Sequence, residues 1–140
     1  MNHPANPHDT AQFAARGAEG LPGLLGFTVL SQADKQLTAQ MAIKPEFMAP
    51  NGYLHAGTVV AFADTAAGYA TQLHLPPQAR GFTTVELKTN FLSTANSGKL
   101  VARAQAMHLG RTTQVWDVVV SHEETGKTLA LFRCTQTLLY

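Results

Sequence analysis

Between Phe47 and Ala79 the chain carries a single residue of the Asp, Glu, Lys and Arg set, Asp64. This stretch includes NGYLHAGTVVAFADTAAGYATQLHLPP and holds the one long helix candidate, from His55 or Ala56 to about His74, stopped by Pro76-Pro77. Ala, Val, Phe, Gly and Thr occur nearly all round it, so the helix must be buried on most sides. The run from Leu54 to Leu75 also has the length of a membrane span. Asp64 sits near its centre, where a carboxylate costs about 2.5–3.5 kcal/mol on insertion scales. His55, Gln72, His74 and the lack of a basic flank argue the same way. The expectation is a helix inside a globular domain, with a carboxylate that is costly there unless paired, solvated or used.

The flanking sequence supplies what wraps the helix. The start, to about Pro7, reads as frayed, and Asp9 with Gln12 resembles a capping box for a short helix over about 10–18. Gly20, Pro22 and Gly23 break that helix, so residues 1–20 read as an N-terminal extension. Strands are expected over 26–30 and 36–43, joined near Ala33-Asp34, with Leu37, Ala39, Met41 and Ile43 on one face of the second. After the helix, alternation places Val85, Leu87, Thr89 and Phe91 opposite Glu86, Lys88 and Asn90. Residues 100–109 alternate again, with Ala102, Ala104 and Ala106 on a face that admits something bulky. Gly110 turns the chain, 113–122 is a Val-rich strand, 123–127 a hairpin loop and 129–139 the last strand. Connections this short favour antiparallel neighbours. The fold class is α+β, a curved antiparallel sheet of about six strands around one central helix, with residues 1–140 as one domain.

Composition removes several functions. Net charge is +1 with no cluster of Lys or Arg, which argues against nucleic-acid and membrane-surface partners. Charged residues make up only 14% of the chain, which suits a surface partly covered by another subunit. The one cysteine, Cys134, rules out an intrachain disulfide, and the histidines show no metal-ligand pattern, so no metal is expected. MNHPANPHDT lacks the basic-then-apolar order of a signal peptide, which points to a cytoplasmic protein.

An uncharged helix announced by NGYLHAG, with an Asp nine residues after the His, resembles the hotdog-fold acyl-CoA thioesterases. The likeness is to the phenylacetate-pathway (PaaI-like) and 4-hydroxybenzoyl-CoA thioesterase type. LLGF at 24–27, ADTAAGYA at 63–70, VELKTNFL at 85–92 and GRTTQVWDV at 110–118 extend it over roughly 24–140. The family's HGG is His55-Ala56-Gly57 here, and its FL-x-P-A is Phe91-Leu92-Ser93-Thr94-Ala95. The resemblance implies hydrolysis of an acyl-CoA to free acid and coenzyme A, which is substrate and not cofactor. It also implies a homo-oligomer, a dimer or dimer of dimers, with sites built across the dimer interface.

Thioester hydrolysis needs a stabilised oxyanion and an activated water or a nucleophile. If Gly57 opens the helix, its N–H is a pre-oriented donor, worth about 2.7–4 kcal/mol in oxyanion holes. Asp64 lies seven residues on, about 10 Å along nearly the same face, too far to serve one carbonyl within one subunit. Two antiparallel helices from two subunits bring Asp64 of one to Gly57 of the other, with Asp64 as general base or nucleophile. The resemblance further implies that Thr84 holds the water or carboxylate, and that Asn51 and His55 shape the loop or polarise the carbonyl. Arg111, with Thr83 and Ser93, is the candidate contact for coenzyme A, since Arg pairs well with phosphate. Met48, Phe62, Tyr69 and Phe82 are the candidate acyl-pocket residues. Two other functions stay open: a hydroxyacyl-thioester dehydratase or hydratase, and a non-catalytic acyl-CoA binding module.

Overall fold

A computed structural model describes residues 10–140; the frayed start and the Asp9 side of the capping box lie outside the described residues. Helices α1 (Thr10–Gly17) and α2 (Leu21–Leu25) lead into strands β1 (Thr28–Ala33) and β2 (Gln36–Ala42). A 3-10 turn over Pro45–Phe47 precedes the long helix α3 (Ala56–Leu73). Strands β3 (Gly81–Phe91), β4 (Lys99–Leu109), β5 (Thr113–His122) and β6 (Thr128–Leu139) complete the chain. The six strands form one antiparallel sheet in the order β1-β2-β4-β5-β6-β3. The chain leaves β2, crosses as α3, and returns at the far edge as β3.

The alternation read in residues 36–43 and 100–109, joined by the Val-rich strand β5, becomes the concave face of the sheet. Leu37, Ala39 and Met41 of β2, Leu100, Ala102 and Ala104 of β4, and Trp116, Val118 and Val120 of β5 are all buried. Against them α3 presents Val59, Phe62, Ala63, Ala66, Ala67 and Ala70. Alanine meeting alanine lets the helix axis sink close to the sheet, while Phe62 and Trp116 fill the remaining volume with no exposure. No helix among the described residues is long and apolar enough to cross a membrane.

Three details differ from expectation. Gly20, Pro22 and Gly23 do end α1, but α2 begins at once, because proline is tolerated in a first turn and Gly26 closes the helix at φ 70°. Gly23 is needed there, since a Cβ would stand 2.0 Å from the Ala18 carbonyl oxygen. Strand β1 begins at Thr28, leaving Phe27 to pack on Phe62 and Tyr69. In β3 the strict alternation from Val85 fails. The register with β6 shifts between Thr84 and Glu86, so Val85 is an extra residue and Thr84 pairs with inward-facing Gln136. The inward face of β3 is therefore Thr84, Leu87, Thr89 and Phe91.

Candidate active site

The entry to α3 is held by a dense set of short bonds. The Asn51 side chain accepts from Tyr53 N–H at 3.2 Å, which closes the turn at Gly52. Leu54 N–H donates to the Thr94 hydroxyl at 3.3 Å, His55 N–H to the Phe47 carbonyl at 3.0 Å, and Thr58 Oγ1 to the same carbonyl at 2.9 Å. Thr94, which sequence reading passed over, thus ties the loop after β3 to the start of the helix.

His55 is the N-cap of α3, and its Nδ1 accepts the Gly57 N–H at 2.8 Å. This corrects the role expected for Gly57, whose N–H is already engaged within the chain. The glycine serves the imidazole instead: a Cβ at 57 would come within 2.9 Å of Nδ1 and 3.1 Å of Cε1. An accepting Nδ1 places the ring hydrogen on Nε2. The first helical residue, Ala56, is exposed, and its N–H has no acceptor among the described residues. The free, dipole-aided donor at the helix start is therefore that of Ala56.

Asp64 lies eight residues further along α3, about 12 Å from Ala56. Its side chain is half-buried, and Oδ1 is enclosed without a hydrogen-bond partner. Burial raises its pKa above the usual carboxylate value. Burial first and the Asp64 charge second push the thiol of Cys134 in β6 up to about 12. The helix covers the concave face over β2, β4 and β5 but leaves the β3 edge open. Leu87 and Phe91, inward-facing residues of β3, are 40% and 49% exposed. Leu87 and Phe91 thus floor an uncovered groove beside an edge strand, and Asp64, one turn before Gly68 on the helix face that meets Phe82, lies toward it.

The other expected residues fall in two places. The Thr84 hydroxyl donates to Gln136 Oε1 at 2.7 Å, on the wall of this groove. Arg111 sits in the β4–β5 turn with its carbonyl bonded by the Tyr140 hydroxyl, beside a hollow of about 540 Å³ formed with Pro76, Gln78, Leu109, Gly110 and Tyr140. That is the C-terminal end of α3, where Gln114 also bonds the His74 carbonyl. Thr83 lies near the same end of the sheet, but Ser93 follows the opposite end of β3, against Leu129. Within one chain Ser93 does not join Arg111. Of the expected acyl-pocket residues, Phe62 is wholly core and Met48 packs against the core. Tyr69 is enclosed by Phe13 and Phe27, while Phe82 lies 3.5 Å from where a Cβ on Gly68 would stand. Among the described residues no group of His, Cys, Asp and Glu could hold a metal.

The model of the thioesterase superfamily matches residues 51–129, from the Asx turn through α3 to the start of β6. The chain belongs to the thioesterase superfamily. It has the hotdog fold of that superfamily and is a thioester hydrolase. It is 32% identical over 116 residues to the 1,4-dihydroxy-2-naphthoyl-CoA hydrolase of Listeria monocytogenes, covering 83% of this chain and 93% of that protein. A mutant of thioesterase PA1618 from Pseudomonas aeruginosa superposes with a TM-score of 0.85 at 33% identity over 94% of each chain. The Escherichia coli PaaI protein, from the phenylacetic acid degradation operon, superposes at 0.80 and 25% identity over 97% of each. The superfamily match begins at Asn51, so the loop that shapes the helix entry falls inside the shared region.

Proposed function

We propose that the protein hydrolyses an acyl-CoA thioester to the free acid and coenzyme A, at a site completed by a second copy of the chain. The observation that carries this is the separation on α3: the free donor of Ala56 and the carboxylate of Asp64 are about 12 Å apart and cannot serve one carbonyl within a chain. The open groove beside β3 is where the partner's helix entry would complete the pair. Asp64 acts as general base, for which a pKa raised by burial is suited. It takes a proton from water, and the oxygen attacks the thioester carbon while the partner's Ala56 N–H receives the oxyanion. The intermediate then collapses, the carbon–sulfur bond breaks, and the thiolate of coenzyme A takes up a proton. The Nε2–H of His55 is a second donor at the same helix entry, and Arg111 is the candidate for the coenzyme's phosphates.

The test is a panel of acyl-CoAs with released thiol as the readout. The wild-type protein should release thiol from at least one member, and Asp64→Asn should not. Release of water-elimination products without thiol would make the protein a dehydratase instead, and saturable binding without turnover would make it a binding module.

A further inference from the structure

Among the described residues three buried side-chain polar atoms have no hydrogen-bond partner: Asp64 Oδ1, Thr89 Oγ1 and Gln136 Nε2. Thr89 and Gln136 are on the inward faces of β3 and β6, and Asp64 is on the helix packed over the sheet. One is a bare acceptor and one a bare donor, on elements that pack together. Gly68, one turn beyond Asp64 on the same helix face, meets Phe82 of β3. Thr84 lies two residues further along that strand and bonds Gln136.

Gln136 is also held in one orientation. Thr84 Oγ1 donates to its Oε1, so its NH2 is the end left over. Gln136 has no exposure at all. An enclosed amide donor costs free energy unless something accepts from it.

We propose that Gln136, oriented by Thr84, is a positioning residue: its NH2 holds the Asp64 carboxylate, directly or through one water, in the orientation that receives the proton from the attacking water. The proposal rests on the hydrolytic reading above. Among the described residues no other charge competes for the carboxylate. The inward residues facing it are Phe132, Cys134 and Gln136 from β6 and Thr84, Leu87 and Thr89 from β3, and α3 has no second charged residue. On the outer face Arg133 pairs with Asp117 and Thr135 Oγ1 donates to Glu86, and Arg16 of α1 is exposed. Cys134 stays a thiol throughout the working range.

The test is the pH profile of kcat/KM for Gln136→Met, which keeps the length but removes the donor. A donor to a carboxylate favours its charged form, so losing it should move the acid limb up by about 1 pH unit with KM little changed. An acid limb that stays in place would overturn the proposal, as would an equal loss at every pH. A second measurement needs no change at 136. In wild-type protein the Gln136 side-chain NH2 resonances, followed by NMR, should titrate together with the acid limb and stop titrating in Asp64→Asn. Resonances indifferent to pH would overturn it. If the protein released no thiol from any acyl-CoA, the hydrolytic reading would fall, and the NMR titration would still decide whether Gln136 and Asp64 are paired.

Discussion

Two buried glutamines face each other across β5 and β6, and they live in opposite circumstances. Gln114 accepts from Trp116 Nε1–H at 2.8 Å and donates to the His74 carbonyl at 2.9 Å, so both ends are satisfied. Gln136, its register partner, is satisfied only by Thr84 and keeps a bare NH2. The first ties the sheet to the C-terminal end of α3 and belongs to the fold. The second leaves a buried donor beside the one carboxylate in the helix. Full burial alone would not have separated them; the census of partners does.

The largest effect expected is on Asp64. Asp64→Asn should lower thioester hydrolysis by about 10²–10⁴-fold, read as released thiol. The same change should raise Tm at neutral pH by a few degrees. The sign follows from its folded-state pKa, which burial raises above 3.8. The folded state then holds the proton more tightly, so stability falls as pH rises from the unfolded value through the folded one, and Asn removes that loss. A variant no more stable than wild type at pH 7 would show that the charge is solvated after all.

Gln114→Leu should come next, costing about 2–3 kcal/mol by urea unfolding because Trp116 Nε1–H is left enclosed and unpaired. Gln136→Met should cost less than about 1 kcal/mol, since the donor it deletes serves no bond of the fold and only Thr84 is left short of a partner there. Equal costs for the two would erase the contrast between them. Gly57→Ala should push the His55 ring off Gly57 N–H, costing about 1 kcal/mol of helix stability and roughly tenfold in kcat/KM through a misplaced Ala56 donor. Retained activity would show that the cap does not set the oxyanion site. The smallest effect is expected for Arg111→Ala, a rise in KM of about tenfold or less with kcat unchanged, as for an exposed phosphate contact.

Most of the architecture was legible because period-2 alternation in residues 37–41 and 100–104 has only one buried solution, and the Val-rich run over 113–122 reads as a strand. The ends of α3 were legible from His55 and from Pro76-Pro77. The bulge at Val85 was not, because Val85 itself fits the alternation, and only pairing with β6 shows the slip. Asp64 could be singled out by its isolation. Which helix-start N–H is free could not, since that depends on where an imidazole folds back. Gln136 stayed invisible for a related reason. Its meaning comes from Thr84, 52 positions away in the chain, and from a helix face it meets only in three dimensions. The split between Arg111 and Ser93 likewise follows from strand order, which sequence patterning does not encode.

The uncovered β3 edge has a further consequence for the life of the protein in a cell. Eleven residues of strand offer unpaired backbone groups, with Val85, Leu87 and Phe91 exposed beside them. Such a border templates the addition of any extended chain. On the two-copy reading proposed above, a lone copy is adhesive as well as incomplete, and dilution or a mutation that loosens pairing should bring precipitation and chaperone capture along with lost turnover. Partnering would then act as quality control on newly made chains.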